Sequence, residues 1–270
     1  MDQGSLEKLW RKTLAAPSEE QFDEVARLVA EIYASDERFR THIKNRSKRI
    51  AERTGVAIDS ECFTHEFARA YIADEIGFVS WAELIEAVGK EPILFRYACA
   101  AMERGDFSAL EDAIGQENFY EQIVGWYESG SFKNQQETLD EILSAACMLG
   151  QTKTAAYLLE RGVDPYAGMR TWLSGPHYAV SSGRLETVKM LLEKNVSMEI
   201  ENKYGGTMLG QGLWSAINEP HESHTEILEC LIRAGAEIEP GTLGWWEAQT
   251  VPSAETAARV SEALRKAGAN

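Results

Sequence analysis

An interval of 33 residues recurs through the C-terminal half of this chain, and it constrains the fold more than any other feature. Gly150 and Gly183 stand 33 residues apart, as do Leu158 and Leu191, Leu159 and Leu192, and Gly162 and Asn195. Gly235 and Gly268 repeat the spacing. Self-similarity at a period of this size belongs to arrays of small supersecondary units, each too small to bury its own apolar faces. The period is broken twice. Gly105 to Gly150 is 45 residues, and Asn195 to Gly235 is 40, so seven residues are inserted in the later unit.

Each repeated position has a physical reason. Ala146 and Ala179 are small where the first helix of one unit packs closely on its neighbour. Gly150 and Gly183 end those helices in the left-handed conformation that satisfies orphan carbonyls. Leu158, Leu159, Leu191, Leu192, Leu231 and Ile232 form the apolar stripe of the second helices. Gly162, Asn195 and Gly235 end them, asparagine being the usual substitute for glycine there.

These residues resemble the ankyrin repeat over about residues 94–270. The family's opening Thr-Pro-Leu-His-x-Ala survives in part, as the His and Ala of Ser174-Gly175-Pro176-His177-Tyr178-Ala179 and the Thr and Leu of Thr207-Met208-Leu209. Asn202-Lys203-Tyr204-Gly205-Gly206 looks like the family's glycine-bearing turn. The resemblance implies an all-α chain: a solenoid of about five units over 91–270, preceded by a small helical domain over 1–90. The first and last units are degenerate. Gly105 marks the first, and Pro252 falls near the middle of the last unit's expected first helix. The insertions lie near 116–137 and 210–224, either on the binding face or as cover for an edge.

Residues 1–90 read as successive amphipathic helices. Ser18-Glu19-Glu20-Gln21 is a capping box ahead of Phe22, Val25, Leu28, Val29 and Ile32. Further helices are expected over 36–54, ending at Gly55, over 63–76, ending before Gly77, and from Ser80 to Gly89. The stretch Ala73, Gly77, Phe78, Ser80, Trp81, Leu84 is similar to a segment preceding the repeats in many bacterial ankyrin proteins. It also imitates a helix-turn-helix, but the helix from Trp81 carries Glu83 and Glu86 and no base to meet phosphate. A basic run, Arg38, Arg40, Lys44, Arg46, Lys48, Arg49 and Arg53, reads as a solvated face paired with Asp36, Glu37 and Glu52.

Twenty-seven Lys and Arg stand against 43 Asp and Glu, a formal charge of −16. Such a surface repels phosphate backbones, so nucleic acid is disfavoured as a partner and a basic protein is favoured. The N-terminus lacks the apolar centre of a signal peptide and no apolar run is long enough to span a bilayer, so the expectation is a cytoplasmic protein. Cys62, Cys99, Cys147 and Cys230 have neither zinc nor redox spacing and read as buried hydrophobes. No phosphate-cradling loop, nucleophile elbow, dinucleotide fingerprint or His-Glu-x-x-His occurs, so neither a catalytic residue nor a cofactor is assigned. His221 and His224 are two imidazoles without a third ligand nearby in sequence, and no metal is expected.

The family resemblance places partner binding on inter-unit turn tips and first helices. On those positions stand Tyr166, Met169, Arg170 and Trp172, then Lys203 and Tyr204, then Trp214 and finally Trp245 and Trp246. Lys203 follows Arg170 by 33 residues and Tyr204 follows Thr171 by the same interval, which aligns them along one ridge. Aromatic and Arg side chains are the usual interface anchors, so the leading expectation is a module that binds a partner protein as inhibitor, immunity factor or adaptor. The alternative is an enzyme or small-molecule binder with a pocket formed by the insertions, lined by His221, His224, Glu222 or Trp126.

Overall fold

The computed structural model describes residues 3–56, 63–168 and 170–269. Among them there are helices and turns but no strand. The chain divides into two compact units, residues 1–116 and 117–270. Composition and repeat spacing suggest a division near residue 90; the two divisions differ by one helix pair.

The first unit holds α1 (Gln3–Ala15), α2 (Glu19–Ser35), α3 (Glu37–Thr54), α4 (His65–Ile76), α5 (Trp81–Ala87), α6 (Ile93–Arg104) and α7 (Phe107–Ile114). Their ends are written in local chemistry. Ser18 accepts a hydrogen bond from the Gln21 amide at 3.2 Å and Ser80 one from Glu83 at 3.2 Å. Gly55, Gly77 and Gly105 close α3, α4 and α6 in the left-handed conformation. α4 sits centrally, against α2, α3, α5 and α6, and α1 packs on both α2 and α7. The core gathers Phe22, Val25 and Val29 of α2, Phe67, Ile72 and Ile76 of α4, and Ile93 and Tyr97 of α6. This is why the pair around Gly105 belongs with the N-terminal helices: its apolar side faces α4 and α1.

The basic run of α3 finds partners other than its sequence neighbours. Arg49 reaches the fully buried Asp74 at 2.5 Å and Arg53 lies 3.4 Å from it. Arg46 pairs with Glu75 at 2.5 Å and with Asp106 at 3.1 Å, and Arg104 adds a second guanidinium to Glu75 at 3.2 Å. Asp36 instead caps α3 through the Phe39 amide. Two adjacent acids on α4 therefore dock one side of α3, leaving Arg38, Lys44 and Lys48 exposed.

The second unit is a stack of helix pairs: α9 (Gln136–Leu149) with α10 (Thr152–Glu160), α11 (Gly175–Ser181) with α12 (Leu185–Glu193), α13 (Met208–Asn218) with α14 (His224–Arg233), and α15 (Thr242–Glu247) with α16 (Ala254–Lys266). α9, α11 and α13 form an inner row and α10, α12 and α14 an outer one, with α16 following α14. Ala146 and Ala179 are fully buried where α9 meets α11, and Leu158, Leu191 and Leu231 are fully buried along the outer row. Asn195 takes the positive φ (56°) expected of a glycine substitute. Pro252 shortens the last inner helix to six residues, so α15 ends at Glu247.

The insertion at 116–137 is largely a helix, α8 (Phe119–Glu128), which buries Phe119, Ile123 and Trp126 and packs on α10. It covers the exposed end of the outer row. Cys147 is buried and its thiol is pushed up to about 12 by desolvation; Cys99 and Cys230 are half-buried, and Cys62 lies outside the described residues. No described helix is long and apolar enough to cross a membrane.

Candidate functional site

Two turn tips and three inner helices of the second unit frame an open groove of about 910 Å³. Its geometry begins with how the turns are held. Asn202 Oδ1 accepts from the amides of Tyr204 at 2.8 Å and Gly206 at 3.1 Å, while its Nδ2 donates to Gln211 Oε1 at 2.9 Å. That clamp fixes the 202–206 turn to the start of α13. His177 braces the same turn from α11: its Nδ1 meets Ser174 Oγ at 2.7 Å and its Nε2 meets the Ile200 carbonyl at 3.0 Å. Burial holds its pKa below the ordinary 6.5, so the ring is kept neutral. The preceding turn is tied to α9 by Ser144 Oγ, which donates to the Gly168 carbonyl at 2.9 Å, and by the Arg170 amide, which donates to Glu141 at 2.9 Å.

On this frame the aromatic side chains stand outward. Trp172 is 51% exposed, Tyr204 73%, Trp214 46% and Trp245 45%. Trp172 stacks on Tyr204 with ring centroids 5.5 Å apart and 24° between planes, and the Lys203 ammonium lies 5.5 Å from the Trp172 ring. The Lys203 amide also donates to the Trp172 carbonyl at 3.2 Å, joining the two tips. Trp172 adopts φ +78°, a conformation costing a non-glycine residue about 1–2 kcal/mol. Nothing in the core requires a tryptophan there.

Tyr204, Trp214 and Trp245 line the groove, together with Leu173, Leu213, Glu219, Glu239 and Thr242. The sequence reading did not single out these last five. The Pro240-Gly241 pair marks the turn beside Glu239 and Thr242. The facing of Trp214 and Glu219 is set by how the inserted residues extend α13, for which no local signal exists.

Three expected site residues are placed elsewhere. Trp246 is not a surface anchor: it is 1% exposed and its indole donates to the Ala257 carbonyl at 3.2 Å, because α15 packs that side on α16. Tyr166 is half-buried, with its hydroxyl on the Ser197 carbonyl and its ring edge-on to His177, in a separate depression shared with Gly162 and Asn195. Arg170 is exposed but paired with Glu137. Met169 lies outside the described residues.

The alternative pocket does not assemble. His224 is buried at the start of α14, where its Nε2 lies 3.2 Å from both the Val180 and Ser181 carbonyls and its Nδ1 accepts from the His221 amide at 2.9 Å. Burial lowers its pKa. His221 rests over Gly183, and Trp126 is buried in α8 against Phe132. Glu219 and Trp214 bring the 210–224 insertion to the groove; no residue of 116–137 lines it. Among the described residues, no three His, Cys, Asp or Glu are grouped to hold a metal ion.

Residues 98–204 match the family model for ankyrin repeats (three copies). That stretch begins within α6 and ends in the turn that carries Tyr204. A search of the curated proteins gave no match.

Proposed function

We propose that this chain, an ankyrin-repeat protein, holds a partner protein in the groove between its turn tips and α11, α13 and α15. Ankyrin repeats generally mediate protein–protein interaction, and the fold offers the surface such a contact needs. The observation that carries the reading is the exposure of Trp172, Tyr204, Trp214 and Trp245 on neighbouring turns and inner helices. Large aromatic side chains left in water lose the transfer free energy their burial would supply, whereas an interface recovers it. The positive φ of Trp172 points the same way, since strain retained at an exposed tip serves no packing role. Holding a partner in this manner is how the chain would serve as inhibitor, immunity factor or adaptor.

The test is affinity capture from the native cell with the wild-type chain and with a triple variant, Trp172→Ala, Tyr204→Ala and Trp245→Ala. Anchors of this kind are worth about 2 kcal/mol each, roughly 30-fold in affinity. The variant should lose the captured protein while keeping its melting temperature, because all three side chains are exposed. Undiminished capture by the variant would remove the proposal.

A further inference from the structure

We infer that the segment entering this groove is an extended peptide presenting a lysine or arginine, whose cation sits among Tyr204, Trp214 and Trp245 and is answered by Glu219 and Glu239. The inference rests on the reading that the groove holds protein, and it adds the chemistry of what is held.

The argument is one of elimination among the groove's polar groups. Asn202 and Gln211 are bonded to one another, and Gln211 Nε2 donates onward to Ser215 Oγ at 3.0 Å. Both hydrogen bonds accepted by Asn202 Oδ1 come from the turn's own amides. The Thr171 hydroxyl is engaged by Tyr178, and Ser181 Oγ donates to the Tyr178 carbonyl at 3.3 Å. What remains facing the groove with capacity to spare is Glu219 and Glu239. Both are exposed, and neither forms an ion pair among the described residues. Ionised carboxylates only accept hydrogen bonds, so they call for a donor, and best a charged one.

The nearby cations do not fill that role. Lys203 lies over Trp172 and Arg170 pairs with Glu137; no Lys or Arg lines the groove. Its apolar walls are aromatic, and ring faces attract ammonium and guanidinium groups while excluding carboxylates. Exposed indole N–H groups of Trp214 and Trp245 supply donors for peptide carbonyls, which favours a peptide over a free cation. The formal charge of −16 extends the same sign of attraction beyond the groove.

The probe is a displayed library of random nonapeptides, selected in parallel on the wild-type chain, on Glu219→Gln/Glu239→Gln, and on Trp245→Ala. All three chains are first shown to melt alike. On wild type the selected peptides should share Lys or Arg at one fixed position. Changing that residue to Gln in a synthetic copy should weaken binding at least tenfold at low salt. On the double Gln variant the basic position should vanish from the selection, and the same Gln change should cost less than twofold. Peptides that carry no basic position, or keep one on the double Gln variant, overturn the inference. If those peptides are still lost on Trp245→Ala, the groove as a protein site survives; if they are retained there, both readings fall. No enrichment on wild type also overturns it, because a short linear segment is then not what the groove takes.

Discussion

Gly168 shows how closely single residues govern the frame of the groove. A Cβ built there would lie 2.4 Å from the Asp140 carbonyl oxygen and 2.6 Å from Ser144 Oγ. The first of these is helix backbone and cannot swing aside. Gly168→Ala should therefore cost about 1–3 kcal/mol through forced displacement of the turn from α9, read as a lowered urea midpoint with unchanged m-value; an unchanged midpoint would mean the turn is not pressed against α9. Trp172 gives the opposite case. Trp172→Gly releases a residue held at φ +78°, so the melting temperature should hold or rise while partner binding falls. A clear drop in melting temperature would show that the exposed stack on Tyr204 stabilises the fold. Among residues, the Trp245-Trp246 pair marks the limit of sequence reading. Successive residues on a helix point about 100° apart, so only one of two adjacent tryptophans can bury. Which one does is decided by α16, eight or more residues away along the chain.

At the scale of elements, helix ends were legible because their causes are local. Ser18, Ser80, Gly55, Gly77, Gly105 and Gly150 act on backbone groups within a turn or so of themselves, and each is where its spacing predicts. α8 was not legible as a packing element, since its identity rests on Phe119, Ile123 and Trp126 meeting α10 rather than on any 33-residue correspondence. The pairing of α3 with Asp74 and Glu75 was hidden for the same reason: the partners lie 25 and 29 residues apart in sequence. The groove was half visible. Its aromatic tips follow the repeat period, while its carboxylates stand on irregular segments. The inner and outer rows also carry a pH dependence. His177 of α11 and His224 of α14 both have pKa values lowered from 6.5, mainly by burial. As the pH falls through 6.5 the unfolded chain takes up protons at these sites and the folded chain resists, so stability declines on acidification. The melting temperature should be lower at pH 6.0 than at pH 7.5; equal or higher values at pH 6.0 would mean the two rings are not held neutral.

For the whole molecule, the stacked pairs mean that each part of the second unit answers chiefly to its neighbours. A partner seated on the turn tips and α11, α13 and α15 would leave α10, α12 and α14 facing water as before. The measurement that tests this most directly is amide hydrogen exchange of the full chain, alone and saturated with the protein it captures. Exchange should slow over residues 170–181, 202–214 and 239–247 and stay unchanged in α10, α12 and α14. Protection concentrated on those three outer helices, with the turn tips unaffected, would contradict the account.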